Sequence, residues 1–314
     1  MRTSDLARLL AIVGPTATSK TEVGILLAEM LGGEIISADS MQVYRGLDIG
    51  TAKPTAEQRR RVPHHLIDII DPDQPFSVAA YQELADQALD DIAGRGKLPV
   101  LVGGSGLYVR AMVGGLDLPV APPDPELRRR LEEEGRRRGG EALHARLVSV
   151  DPVAAKRIHP HNTRRVIRAL EVYEQTGRPI SQWWRLDDER KERYNARQFG
   201  LTVPRAELYQ RIEERVDRML SDGLVEEVSR LLGQGYGEDL VSMKGLGYAQ
   251  VVEHLRGEVS LEEAVRRLKR DTRRFAKRQL TWFGADRRVE WVDVAVWGGA
   301  EAAAAEIRER WEQR

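Results

Sequence analysis

The sequence predicts an α/β fold, a P-loop NTPase-like parallel sheet flanked by helices, with an inserted all-helical domain. Three observations predict it. An apolar run at residues 9–13 leads into Gly14, Pro15, Thr16, Ala17, Thr18, Ser19, Lys20 and Thr21 and then into an amphipathic helical segment, the arrangement that cradles a di- or triphosphate. Short apolar runs alternate with helical stretches as far as Val102, Gly103 and Gly104, which indicates parallel strands joined by helices. A proline-rich stretch at residues 119–125 then gives way to charge-dense helical sequence up to about residue 192.

Residues 6–13 form the first buried strand, too short to span a membrane. Residues 34–38 read as a second strand that delivers Asp39 at its carboxyl end, and residues 65–70 as another. Ser77 N-caps a helix that runs to Ala93 and is stopped by Gly94 or Gly96. Residues 99–102 make a compact strand running into Gly103, Gly104, Ser105 and Gly106 and a further helix. After the insertion, residues 197–203 return as a strand. A helix over 205–220 follows, with Leu208, Ile212, Val216 and Met219 as its apolar stripe and Arg211 and Arg215 on one face. The helix over 261–283 opens with a capping box of Ser260 and Glu263 and buries Leu261, Val265, Leu268, Thr272, Phe275 and Gln279. An Ala-rich stretch at 300–305 lies in a terminal helix. The expected division is 1–118 as the first part of the core, 119–195 as the inserted helical domain and 196–314 as the second part of the core. In such a sheet the ligand site lies off the carboxyl ends of the strands, which brings residues 14–21, Asp39 and Ser105 to one rim.

With 49 basic and 49 acidic residues among 314, net charge selects no partner. The chain has no cysteine, which excludes disulfides, thiol nucleophiles and thiolate metal sites and is compatible with the cytoplasm. No signal-peptide pattern opens it. The histidines show no metal-ligand spacing, and Trp183 and Trp184 read as packing residues. Charge is nevertheless segregated: Arg267, Arg270, Arg274 and Arg278 form one helical stripe and Lys269, Arg273 and Lys277 the next, with Trp282 and Phe283 just beyond as stacking groups. A face of nearly one sign beside aromatics favours nucleic acid over a solvated helix face. Arg164, Arg165 and Arg168 add a second basic cluster.

The chemistry starts from a phosphorylated substrate. Loop N–H groups, the helix N-terminus and the Lys20 ammonium meet anionic oxygens, and the Thr21 hydroxyl reaches Mg2+. Ser19 departs from the usual pattern, which has glycine before the lysine. Asp39 is a candidate general base beside this cradle, although an Asp at a strand end also serves as a cap or a metal ligand. Ser105 either binds a substrate oxygen or satisfies its glycine turn. No apolar strand ends in an Asp-Glu or Asp-Asp pair, which weakens ATP hydrolysis in favour of group transfer from a phosphate ester.

These segments together resemble the tRNA dimethylallyltransferase family of bacterial type, also called tRNA isopentenyltransferases. The likeness rests on Gly14-Pro15-Thr16-Ala17 with Lys20-Thr21, Asp39-Ser40-Met41-Gln42-Val43-Tyr44 and Asp48-Ile49-Gly50-Thr51-Ala52-Lys53-Pro54. It continues through Val102-Gly103-Gly104-Ser105-Gly106-Leu107-Tyr108, Asp151-Pro152 to Arg168-Ala169-Leu170-Glu171, Gly245-Leu246-Gly247-Tyr248 and Lys277-Arg278-Gln279-Leu280-Thr281-Trp282-Phe283. The resemblance implies transfer of a dimethylallyl group from dimethylallyl diphosphate to N6 of adenosine 37 beside the tRNA anticodon, with nucleotide-type phosphate binding, Mg2+ and a monomeric, membrane-free cytoplasmic enzyme. It implies catalytic roles for Asp39, Ser105, Lys20 and Arg215, diphosphate binding by residues 14–21 and Mg2+ at Thr21. Ser105 stands where the family usually has threonine. For the anticodon stem-loop it implies Asp39, Ser40, Met41, Gln42, Ser105 and Arg128, then Arg164, Arg165, Val166, Ile167 and Arg168. Lys244, Gly245, Leu246, Gly247, Tyr248 and Ala249 follow, with Lys277, Arg278, Gln279, Leu280, Thr281, Trp282, Phe283 and Gly284. Prenylation of free adenine nucleotides, a P-loop phosphotransferase and a non-catalytic RNA-binding protein are the competing readings.

Overall fold

The computed structural model describes residues 7–114, 124–188 and 193–313, so the proline-rich boundary at 119–123 lies outside the described residues. Strands β1 Arg8–Val13, β2 Gly33–Ser37, β3 His64–His65, β4 Leu98–Val102, β5 Asn195–Thr202 and β6 Val289–Asp293 form one sheet in the order β3-β2-β4-β1-β5-β6. Every pairing is parallel. A parallel sheet covered on both faces needs continuous apolar strands, and β1 buries Leu9, Leu10, Ala11, Ile12 and Val13 completely. Its side chains alternate. Leu10 and Ile12 pack with Ile25 of the helix Lys20–Leu31 and Ile307 of the helix Ala300–Glu312, whereas Leu9, Ala11 and Val13 pack with Tyr81 of Val78–Gly94 and Met112 of Gly106–Val113.

Local signals explain most of these elements. Ser77 Oγ accepts from the Ala80 N–H at 3.1 Å and opens the helix Val78–Gly94 as expected. The strand expected at 65–70 is much shorter, because Leu66 and Asp68 take positive φ angles of 64° and 57° and turn the chain out of the ladder. On the long helix Leu261–Gly284, Ser260 Oγ accepts from the Glu263 N–H at 3.2 Å, but the Glu263 carboxylate turns outward to Arg266 and Arg267. Leu261 is exposed in that first turn, contrary to expectation, and Ala264, Ala276 and Phe283 join Leu268, Thr272 and Gln279 on the buried face.

The chain forms two compact units, one of Met1–Val113 with Glu192–Arg314 and one of Gly114–Lys191. The second is helical: Pro125–Arg138, Gly140–Val150, Pro152–Arg157, Thr163–Thr176 and Ile180–Asp188. Leu131, Leu143, Leu147, Val166 and Leu170 make its core. Trp184 packs on that core, as a packing residue should.

Candidate active site

At the carboxyl end of β1 the chain turns through Gly14 at φ 131° and through Ala17 and Ser19 at φ 64° and 62° before entering the helix that begins at Lys20. The loop is closed from within. Thr18 Oγ1 and Lys20 Nζ both donate to the Pro15 carbonyl, at 2.8 and 2.6 Å. It is also held from outside by Gln279, whose Oε1 accepts from the Thr16 N–H at 2.9 Å while its Nε2 donates to the Gly104 carbonyl at 2.9 Å. A Cβ on Gly104 would stand 2.3 Å from that nitrogen, and one on Gly103 would stand 2.1 Å from the Ala38 carbonyl oxygen. Glycine is therefore needed where β4 ends because β2 and the long helix close directly on its backbone.

Burial and the neighbouring Arg215 guanidinium lower the Lys20 pKa to about 7, against the opposing attraction of Asp39. Arg215, on the helix Arg205–Ser221, is itself lowered by burial, with Asp39 again acting against the shift. Two enclosed cations thus stand near one carboxylate. An anion entering here supplies the charge they lack.

Asp39 follows β2 directly. Its Oδ1 accepts from the Met41 N–H at 2.8 Å and the Gln42 N–H at 3.4 Å, so one oxygen caps the turn. Ser105 Oγ accepts from the Ser40 N–H at 2.9 Å. Gln42 Oε1 accepts from Ser37 Oγ at 3.1 Å, and its Nε2 donates to the Thr51 and Ala52 carbonyls, each at 3.3 Å. Behind that loop stands a group the sequence reading missed: buried Glu227 accepts from the N–H groups of Asp48, Ile49 and Gly50 and from the Tyr248 hydroxyl at 2.6 Å. The signal was an acid between Leu224, Val228 and Leu231 on the apolar face of the helix Leu224–Gly233.

Two partly open spaces lie side by side at this rim. One, of about 90 Å3, is lined by Thr16, Lys20, Thr21, Asp39, Arg215 and Gln279. The other, of about 210 Å3, is lined by Asp39, Ser105 and Arg215 together with apolar Met41, Val216, Met219, Leu246, Leu268 and Phe275. Asp39, Arg215, Thr16, Thr51 and Phe275 border both. The space at the loop thus adjoins an apolar chamber that carries a carboxylate and a hydroxyl.

The residues expected at RNA divide by exposure. Arg164, Arg165, Lys244, Lys277, Arg278, Thr281, Trp282 and Gly284 are exposed, and Ser40, Met41, Gln42, Gly245, Leu246, Ala249 and Leu280 are half-buried. Val166 and Ile167 are buried in the helical core, and Gly247, Tyr248 and Phe283 are buried in the first unit, where Tyr248 borders the 210 Å3 chamber. On the long helix the period turns Phe283 inward while Thr281, Trp282 and Gly284 stay exposed. Gln279 is likewise turned inward onto the phosphate loop. Arg128 and Arg168 both pair with the fully buried Glu171 carboxylate, at 2.8 and 2.6 Å. On the long helix the basic stripe is largely neutralised. Arg267 pairs with Glu253 and Glu263, Lys269 with Asp217, Arg270 with Asp271 and Arg273 with Glu213. Among the described residues, Lys277 and Arg278 have no ion-pair partner.

The IPP transferase family profile matches residues 42–287, and the isopentenyl transferase profile matches residues 7–68. The chain is 55% identical over 299 residues to a tRNA dimethylallyltransferase of Desulforudis audaxviator, covering 95% of this chain and 96% of the relative. Its structure is similar to the crystal structure of the tRNA isopentenylpyrophosphate transferase of Bacillus halodurans, with 49% identity, a TM-score of 0.68 and coverage of 91% of this chain and 89% of that one. It is also similar to a eukaryotic dimethylallyltransferase captured acting on tRNA, at 26% identity, TM-score 0.82 and coverage of 98% of this chain and 80% of that one. The chain belongs to the tRNA dimethylallyltransferase family.

Proposed function

We propose that this chain transfers a dimethylallyl group from dimethylallyl diphosphate to N6 of adenosine 37, next to the anticodon of tRNA. The observation that carries the reading is the junction of the two spaces, where Asp39 and Arg215 border both the phosphate-loop end and the apolar chamber. The diphosphate lies on the loop N–H groups, Lys20 and Arg215. The allyl carbons lie in the chamber. Adenine leaves its stack to bring N6 to Asp39 and Ser105, since a stacked base cannot reach an enclosed carboxylate. N6 then bonds to C1, the C1–O bond breaks, and its electron pair leaves with pyrophosphate. An N6 proton passes to Asp39, whose second oxygen accepts no hydrogen bond from the described residues. The cations at the loop stabilise charge growing on the bridging oxygen.

Among the described residues no cluster of three or more His, Asp or Glu side chains converges as a metal site. A Mg2+ ion would be held here by the Thr21 hydroxyl, a hard-oxygen donor of the kind this cation accepts. When bound it adds positive charge to the leaving group. No helix among the described residues is long and apolar enough to cross a membrane. The test is incubation of the purified protein with unmodified tRNA, Mg2+ and labelled dimethylallyl diphosphate, followed by digestion. Label in N6-dimethylallyladenosine at position 37, with pyrophosphate released one for one, is expected. Label only in added AMP, or ATP turnover without tRNA, overturns the reading.

A further inference from the structure

The chamber beside Asp39 has one wall unlike the others. Val216, Leu268 and Tyr248 line it from one side and belong, on the other, to the buried core around Leu224 and Val228. Making room behind them would mean repacking that core. Met219 is different. It packs only against the edge of that core and borders, besides the 210 Å3 chamber, a separate open cleft of about 1010 Å3 whose lining includes Ile49, Ala52, Arg211 and Arg218. Among the described residues only Arg215 shares that double position, and it sits one turn earlier on the same helix, on the face that Met219 continues. Arg215 is charged and also borders the 90 Å3 space at the loop. Met219 is therefore the apolar part of the partition between chamber and cleft.

This bears on the length of the hydrocarbon. With the diphosphate on the loop and adenine at Asp39 and Ser105, the carbons beyond C1 take the remaining apolar lining, formed by Val216, Met219, Leu268 and Phe275. A chain one isoprene unit longer meets buried core behind Val216 and Leu268, whereas behind Met219 lies the open cleft. We propose that Met219 sets the five-carbon limit on the allylic substrate by closing the reaction chamber against the cleft. The inference rests on the transfer reaction proposed above and names the residue that selects its donor. A thioether on an unbranched stem suits the position, since it fills an irregular gap without rigid edges.

The test compares dimethylallyl and geranyl diphosphates as donors to the same tRNA, reading the ratio of their kcat/KM values. A single methylene in an apolar pocket changes such ratios by roughly 10- to 200-fold. Met219→Ala is therefore expected to raise the geranyl-to-dimethylallyl ratio at least about 10-fold, with geranyl found on N6 of adenosine 37. Met219→Leu, close in volume, should keep the wild-type ratio, and Met219→Val should fall between and serves if the alanine variant does not fold. An unchanged ratio in the truncated variants, with dimethylallyl transfer still measurable, overturns the role of Met219. So does a wild-type enzyme that uses both donors equally. Absence of dimethylallyl transfer by the wild type is a different result and counts against the reaction itself.

Discussion

Ser105 brackets Asp39: its N–H donates to the Ala38 carbonyl at 3.1 Å, and its Oγ accepts from the Ser40 N–H at 2.9 Å. The serine thus grips the backbone on both sides of the carboxylate. Only the Oγ half of this grip is open to mutation. Ser105→Ala leaves the Ser40 N–H without its partner and should cost about 1 to 2 kcal/mol of stability, and it should lower kcat more than it raises KM. Ser105→Thr keeps the oxygen and should restore both. Denaturant unfolding and steady-state kinetics on the pair decide the point; a threonine variant as weak as the alanine one would remove the bracketing role.

Asp39→Asn retains an oxygen able to accept the Met41 N–H, so the turn should survive. What it removes is a proton acceptor. Loss of a general base costs roughly 10² to 10⁴ in rate, and single-turnover transfer should fall by that order while tRNA and diphosphate still bind. Transfer at the wild-type rate would leave Asp39 a positioning residue.

Ser19 holds φ 62° and ψ 24°, a left-handed conformation that costs a side-chain-bearing residue about 1 to 2 kcal/mol. Glycine relieves this strain, with a partial offset from its freer unfolded chain. Ser19→Gly should therefore raise the unfolding midpoint and keep diphosphate affinity at least equal. A lower midpoint would show that the serine hydroxyl makes a compensating contact.

Lys277→Ala with Arg278→Ala should weaken tRNA binding and flatten the dependence of log K on log salt by about 2, near one unit per lost phosphate contact. The ion-paired Lys269→Ala should change that slope less, because its charge is already answered by Asp217. Equal effects on the slope would mean that the pairs on this helix open when RNA binds.

Glu34 gives the fold an acid-sensitive point. Its carboxylate is buried and held by Arg95, by His65 at 2.8 Å and by Lys97 at 2.9 Å. Hydrogen bonding from Arg95 drives its pKa far below the ordinary 4.5, with burial opposing. A carboxyl depressed on folding adds stability that is fully present above its unfolded pKa and is lost as pH falls through the folded one. Urea midpoints of the wild type should therefore decline as pH drops below about 4.5, and Glu34→Gln should make that decline shallower. Parallel pH curves would assign the acid sensitivity elsewhere.

What was legible in the sequence followed from continuous patterns. The buried strands β1, β2 and β4 are apolar runs that end in glycine or in Asp39, and β5 showed itself by Phe199, Leu201 and Val203. The edge strand β6 was missed because its Val289–Asp293 run alternates with acids and is half-exposed. Charge on the long helix was visible, but its neutralisation was not, since Glu213, Asp217 and Glu253 come from other helices. The grip of Glu227 on residues 48–50 is likewise a contact across about 180 positions, which no local period encodes.

The order of the sheet also dictates when the phosphate loop can mature. β1 carries that loop, and its two neighbours are β4, completed by Val102, and β5, which begins only at Asn195. Until the ribosome has delivered β5, one whole edge of β1 offers its N–H and C=O groups to any passing strand. A chain cut before Asn195 should therefore self-associate rather than bind diphosphate.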